Sequence, residues 1–425
     1  MTQMEISRHD PAADRTGLRR RFLAMRAQSE ALAVPLAPED QVVQSMPDVS
    51  PTKWHLAHVT WFLEHFLLEG IAGLAPYDTH YSYLFNSYYE TIGPRHARPQ
   101  RGLISRPNCA EVLAYRTHVT GALAHFIETA DETQWQQAAP LIELAIHHEQ
   151  QHQELILMDI KHVFSMNPLL PAYRAPLIRE VIDAPPVRMI EFPGGLVEIG
   201  HDGAGFAFDN EGPRHKQWLE PFRLADRLAT CGEYRDFIGD GGYRRAEFWL
   251  SDGWNTVQAQ GWEAPLYWRR DDAGWRIFTL AGEQPIDPAE PVVHVSFYEA
   301  DAFAKWAGKR LPSEAEWEIA AAGQKLTGNF AGTGRFHPAP ARGTGLRQLF
   351  GDAWEWTAST YSPYPGFTPP AGAIGEYNGK FMCSQMVLRG GAAVTPEEHI
   401  RATYRNFFPP SARWCFGGVR LAEGV

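Results

Sequence analysis

Apolar residues recur with a helical period over residues 15–165 and lose that period after about residue 185. The stretch from Leu18 to Leu32 has few breakers and sets a basic face before an apolar one. A second helix is predicted after Ser50-Pro51, where proline suits the first turn, with Trp54, Leu56, Val59, Phe62, Phe66 and Leu67 along it. A third covers roughly Asn108 to Glu128. A fourth runs from about Pro140 to Phe164, with Leu141, Leu144, Ala145, Leu155, Ile156 and Ile160 at helical spacing. Four such helices predict an antiparallel bundle. The loop from Tyr77 to Pro107, rich in Tyr and Arg, is long for a bundle, and long ordered loops tend to be functional. A proline-rich linker, 169–186, follows. Beyond it come short strands, Gly-rich turns and tryptophans, with one clear helix at Ser296 to Ala307 and a capping box, Ser313 with Glu316, opening another. The expected class is α+β, with a helical bundle over 15–168 and a loop-rich domain over 187–423.

Composition narrows the function classes. At 425 residues the chain exceeds what one hydrophobic core usually organises, so two domains are expected. A net charge of −11 argues against a nucleic-acid partner, because phosphate binding needs a basic patch. No apolar run approaches the ~20 residues that span a bilayer, and the N-terminal arginines have no apolar core behind them to make a secretory signal. Four scattered cysteines, Cys109, Cys231, Cys383 and Cys415, read as reduced thiols of a cytoplasmic protein rather than a disulfide framework. Oligomeric state is not legible.

The sharpest chemical signal is His147-His148-Glu149-Gln150-Gln151-His152 on the fourth helix. Residues four apart differ by about 40° around a helix, so His148 and His152 share one face, while His147 lies on another. Two polar residues on a solvated face would look the same, but Leu141, Ala145, Leu155 and Ile156 flank this side and turn it inward. The segment also satisfies H-E-x-x-H literally, which keeps a metalloprotease open. A third ligand is offered by His55, His58 or His65, among which pattern does not choose. Three neutral imidazoles without a carboxylate suit zinc, iron or copper rather than magnesium or calcium.

KWHLAH (53–58), HHEQQHQEL (147–155), RLPSEAEWE (310–318), GDAWEWT (351–357) and YRNFFPP (404–410) together resemble the ergothioneine-pathway sulfoxide synthases. The resemblance runs in order over nearly the whole chain after residue 15. It implies a DinB-like four-helix bundle joined to a domain of the formylglycine-generating-enzyme type, itself C-type-lectin-like. It implies Fe(II) held by His58, His148 and His152, and an O2-dependent bond between the imidazole ring of hercynine and a thiol or selenol donor. Gln151 and Asn406 match hercynine-contacting positions, with Phe407 near the trimethylammonium, where a ring face attracts a cation, and the resemblance also counts Arg405 and Phe408 among the substrate-binding residues. Plain core packing is the competing account of Phe407 and Phe408. Arg95 and Arg98 match a pair that binds the donor's carboxylate, with Arg101 or Arg106 as substitutes. Tyr88 and Tyr89 match a tyrosine pair that supplies a phenol near iron.

Four departures bear on the donor. Phe408 stands where branches using γ-glutamylcysteine carry an acid, which points to a smaller donor such as cysteine. Cys231, Ala392-Ala393 and Cys415 also differ from the common pattern, and the last two, in blocks adjoining the substrate site, keep open a selenoneine synthase using a selenosugar. Three rivals remain: a copper formylglycine-generating oxidase, discounted because Cys383 and Cys415 lack close spacing; a zinc DinB-type thiol transferase; and a non-catalytic binding module.

Overall fold

The computed structural model describes residues 12, 14–176 and 182–425. Part of the expected linker, 177–181, and the N-terminal residues 1–11 lie outside the described residues. The chain divides into two compact units. The first comprises the residues through Pro168 together with Asp202–Phe208 and Pro369–Tyr377; the second comprises Leu169–His201, Asp209–Thr368 and Asn378–Val425.

The first unit is helical: α1 Arg15–Ala33, α2 Thr52–Leu63, a short α3 Tyr81–Phe85, α4 Cys109–Thr129 and α5 Glu132–Met166. α1 and α2 each pack against both α4 and α5. Every residue of α2 is buried, polar ones included. A helix enclosed on all sides must satisfy its polar groups with neighbours. Lys53 Nζ accordingly donates to the carbonyls of Ile104 and Pro107 at 2.7 and 2.8 Å. α2 runs on into a π-helical turn, Glu64–Glu69, whose buried Glu64 accepts the Tyr115 hydroxyl at 2.5 Å.

The fourth predicted helix is longer than its apolar periodicity suggests. α5 starts at Glu132, where Asp131 and Gln134 form a reciprocal capping box, and it carries Pro140 in its interior. Pro140 removes one hydrogen bond, yet Trp135, Ala138 and Ala139 are buried before it, so the first turns are held by packing. Within the Tyr77–Pro107 loop, α3 and a 3-10 turn at Arg98–Leu103 provide local order.

One ionic cluster ties the four long helices. Glu149 of α5 receives Arg26 of α1 at 2.7 Å and Arg116 of α4 at 2.9 Å. Arg26 also donates to Thr60 of α2 at 2.9 Å, and Arg116 to the Leu56 carbonyl of α2 at 3.1 Å. All three charged residues are at most 1% exposed. Burial works against the Glu149 carboxylate, but the two guanidiniums overcome it and hold the group below its ordinary range. Burial, then repulsion from Arg116, brings Arg26 down to about 10.

The second unit carries twelve short strands: β1 Met189–Phe192, β2 Gly195–Ile199, β3 His215–Leu219, β4 Phe222–Ala225, β5 Trp268–Asp271, β6 Gly274–Thr279, β7 Gly282–Pro285, β8 Trp354–Thr360, β9 Met386–Arg389, β10 Asn406–Phe408, β11 Gly417–Gly418 and β12 Ala422–Gly424. They form sheets ordered β1-β4-β12, β10-β9-β8-β11, β2-β3 and β5-β6-β7. β11 pairs in parallel with β8, and a Cβ on Gly417 would come within 2.7 Å of the Trp356 indole nitrogen, which explains the glycine there. Four helices join them: α6 Cys231–Gly239, α7 Ser251–Gln260, α8 Phe297–Trp306 and α9 Glu314–Ala321. α8 and α9 open on the Ser296–Glu299 and Ser313–Glu316 capping boxes, the second as expected. α6 and α7 were not legible in the loop-like text around them, although Thr230 and Glu233 box the start of α6. The aromatic core expected of this half is present: Trp317, Trp354 and Trp356 are at most 1% exposed. Among the described residues, no helix is long and apolar enough to cross a membrane.

Replacing Glu149 with Gln leaves buried Arg26 without a carboxylate at ion-pair distance and Arg116 with only the partly exposed Glu30 at 3.3 Å, and breaking such a cluster costs about 3–5 kcal/mol. Chemical denaturation of the metal-free protein followed by circular dichroism should show a loss of that order in the helical unit; an unchanged midpoint would remove the cluster from the stability argument. Glu143 of α5 gives a pH signature. Burial opposes its charge, but hydrogen bonds from His147 and from Arg21 of α1 (2.8 Å at both oxygens) bring its pKa from 4.5 down to about 2. A carboxyl with a depressed folded pKa stabilises the fold above its unfolded value and loses that contribution as pH falls toward the folded one. Glu143→Gln should therefore lower the melting temperature at pH 7, and its deficit relative to wild type should shrink between pH 5 and about 2.

Candidate metal centre

His58 of α2 and His148 and His152 of α5 offer one ring nitrogen each, all within 4.8 Å of one another. The three rings lie 4.8 to 5.1 Å apart between centroids. The fourth-helix pair shares one face, as its spacing requires. His147, on another face, stacks on Phe206 of the same unit at 3.9 Å and sits 3.4 Å from Glu143. Of the three further candidates, His58 alone joins the cluster; His65, in the π-helical turn after α2, lies beside Glu69 at 3.7 Å, and His55 of α2 packs behind His152.

Burial holds all three imidazoles in the neutral form that binds metals. His58 is driven well below its ordinary value by burial and then by His148. His148 is pushed down to about 4 by burial, against a small opposing pull from Glu149. His152 falls well below by burial and then by its His148 and His58 neighbours. His58 Nδ1 lies 2.6 Å from the Phe85 carbonyl, an acceptor, so it carries the proton and leaves Nε2 unprotonated. His148 Nδ1 is buried with no hydrogen-bond partner. An orphaned imidazole nitrogen among neutral nitrogen donors fits an ion such as iron or zinc, and the absence of a carboxylate from the set disfavours magnesium or calcium.

Aromatic rings surround the cluster. Trp54 stacks on His58 at 4.7 Å with an interplanar angle of 9°, Phe62 lies 4.6 Å from His148, and the Arg101 guanidinium sits 3.3 Å above Trp54. The long loop supplies a cavity of about 460 Å³ lined by Ser87, Tyr88, Arg95, Arg98 and Arg101 among others. Arg95 pairs with Glu90. Arg98 donates to the Asp48 carbonyl at 2.7 Å and to the Tyr88 hydroxyl at 3.0 Å. Arg101 donates to the hydroxyls of Ser50 and Ser87 at 2.9 Å, and burial brings it down to about 9. Among the described residues, neither Arg98 nor Arg101 has a carboxylate at ion-pair distance.

Comparison with known proteins matches residues 21–156 to the DinB superfamily and residues 176–344 and 327–425 to the sulfatase-modifying factor enzyme 1-like domain. The "Hercynine oxygenase" of Mycobacterium tuberculosis is 34% identical over 414 residues, covering 89% of this chain and 92% of that protein. That of Mycolicibacterium thermoresistibile is 34% identical over 413 residues, covering 89% of this chain and 88% of that protein. The chain belongs to the hercynine oxygenase family. The motifs from KWHLAH to YRNFFPP therefore identified the family correctly, and the two-part α+β architecture they implied is the one observed. A "Formylglycine-generating enzyme" of Thermomonospora curvata, 30% identical over 272 residues, covers 53% of this chain and 88% of its own length.

The remaining expected site residues divide by unit. Tyr88 and Tyr89 belong to the helical unit with the histidines. Tyr89 packs against Trp61, Phe62 and Phe66 at 5.3 to 6.1 Å, and burial drives its phenol upward. Tyr88 lies 5.7 Å from Tyr377, a phenol of the returning Pro369–Tyr377 segment that sequence reading missed. No local signal in the sequence marks that return. Gln151 is half-buried beside His152 on α5. Asn406, Phe407 and Phe408 form β10 of the second unit, with Phe407 stacked on Tyr361 at 4.1 Å and Phe408 edge-on to Trp414 at 5.5 Å.

Arg405 is 2% exposed, and its guanidinium is engaged by both oxygens of Glu314 and by the carbonyls of Asn210 and Ser362 at 2.9 to 3.0 Å. These contacts brace the second unit. The H-E-x-x-H match loses its proteolytic meaning. Glu149 has both oxygens committed to Arg26 and Arg116, so it cannot act as the base of a zinc protease.

His148→Ala should abolish stoichiometric binding of cobalt(II), used as a spectroscopic probe, whereas His65→Ala should leave it intact. Equal loss in both variants would place the centre elsewhere.

Proposed function

We propose that this chain is an oxygenase that couples a thiol donor to hercynine, with Fe(II) held by His58, His148 and His152. The single observation that carries the reading is the convergence of three neutral imidazoles, one with an orphaned nitrogen, in a chain of this family. The overall change balances: a ring C–H and a thiol S–H become a C–S(=O) unit, and O2 supplies the sulfoxide oxygen and one water. Iron bound there supplies the redox and Lewis-acid chemistry that makes O2 usable and favours the thiolate form of the donor.

The protein's own groups bind and orient the substrates. Arg98 and Arg101, charged at the cavity without carboxylate partners, offer forks for a donor carboxylate, with Arg95 exchangeable from Glu90. That favours cysteine, a carboxylate-bearing donor, over a neutral selenosugar. Gln151, Asn406 and Phe407 are assigned to hercynine, with Phe407 offering a ring face to the trimethylammonium. Phe408 presents no charge, in keeping with a donor lacking a second amino-acid head. Tyr88 and Tyr89 are the phenols assigned to proton delivery. The partners are small molecules, and the site of action is the reducing cytoplasm.

Anaerobic Fe(II) loading with hercynine, then O2 with cysteine, γ-glutamylcysteine and a selenosugar in competition, tests the reading by mass spectrometry of the product and an oxygen electrode. Oxygen uptake with a cysteine–hercynine sulfoxide is expected. A selenium adduct would transfer the assignment to selenoneine synthesis; no oxygen uptake and a zinc requirement would favour a DinB-type thiol transferase. In the same assay, Arg98→Met should raise the KM for cysteine at least tenfold with little change in that for hercynine.

A further inference from the structure

Behind the three imidazoles lie two buried side chains that the proposed chemistry does not use. His55 of α2 and Asp159 of α5 are 2% and 3% exposed. His55 meets His152 through their Nδ1 atoms at 2.8 Å and meets Asp159 Oδ2 through its Nε2 at 2.9 Å. The same Oδ2 accepts the backbone N–H of Ser50 at 2.8 Å. That oxygen is therefore an acceptor, and the His55 proton facing it sits on Nε2. A neutral His55 then has a bare Nδ1, which can only accept. The bond at 2.8 Å must be donated by His152 Nδ1–H, which leaves the lone pair of His152 on Nε2.

We infer that Asp159 and His55 are positioning residues: a carboxylate–imidazole chain that fixes the tautomer and ring orientation of His152, so that its Nε2 faces the metal. The inference rests on the three-histidine reading above. His58 reaches the same state by a simpler route, its Nδ1 held by the Phe85 carbonyl. The chain is built into the two helices that carry the ligands, so the Ser50 turn, α2 and α5 are registered by one oxygen of Asp159. Outer partners of this kind typically change metal affinity by about 10–100-fold when removed.

Two measurements test this on the full-length protein. In the metal-free wild type, 15N NMR with labelled histidine, assigned with His55→Gln, should show His152 protonated on Nδ1 and His55 on Nε2. The opposite tautomers would overturn the inference without any variant having to fold. Chelator competition with cobalt(II) should then give a Kd about 10–100-fold weaker for Asp159→Asn and His55→Phe. His55→Gln, whose amide oxygen can still accept from His152, should recover part of the loss. A packing role alone would lower the metal-free melting temperature and leave the Kd unchanged, and that result also refutes the chain. If the wild type binds no cobalt(II), the three-histidine reading fails and takes the inference with it; wild-type binding with unaltered variants sinks the inference alone.

Discussion

A single carboxylate determines where the three-histidine face of the helical unit can be. Glu149 is withdrawn from water between Arg26 and Arg116, and desolvating such groups costs several kcal/mol each unless their geometry is satisfied together. Any shift of α1, α4 or α5 along its axis would leave one of these charges unpaired in the interior. The register of four helices is thereby tied to one residue. Its neighbours in sequence, His148 and His152, inherit that register and are delivered, about 60–100° around α5 from it, toward His58.

The second unit uses the same kind of constraint around other residues. Glu355 and Arg420 are both fully buried and share two hydrogen bonds at 2.7 and 2.8 Å, with the Trp317 indole donating to the same carboxylate at 2.8 Å. Glu314 receives both Arg389 and Arg405. Short strands and long connections offer few backbone ladders, so buried ion pairs and tryptophans specify the path of the chain. The motifs RLPSEAEWE, GDAWEWT and YRNFFPP each supply a member of these pairs. Much of what makes them recognisable is structural rather than catalytic.

Electrostatics separates two environments within the helical unit. At the cluster, burial strips charge from His58, His148 and His152, and aromatic faces complete the wall. In the adjoining loop, Arg95 is paired with Glu90, but the Arg98 and Arg101 guanidiniums have no carboxylate at ion-pair distance. Neutral donors beside uncompensated cations suit a centre that must hold a metal and an anionic small molecule together.

The sequence by itself determined the family, the helical and strand-rich halves, the Ser313–Glu316 capping box and the His148–His152 pair, because these rest on local periodicity, near-neighbour hydrogen bonds and contiguous motifs. It did not choose among His55, His58 and His65, which share a helix face: the Phe85 carbonyl and Asp159, each brought in from elsewhere, assign them different work. Nor did it reveal that Glu149 is committed to Arg26 and Arg116, that Arg405 is consumed by Glu314, or that the segment carrying Tyr377 returns to the bundle. Each of these is decided by which distant charge or carbonyl a buried polar group meets, and only the tertiary structure fixes that, since an interior polar group takes its role from its partner.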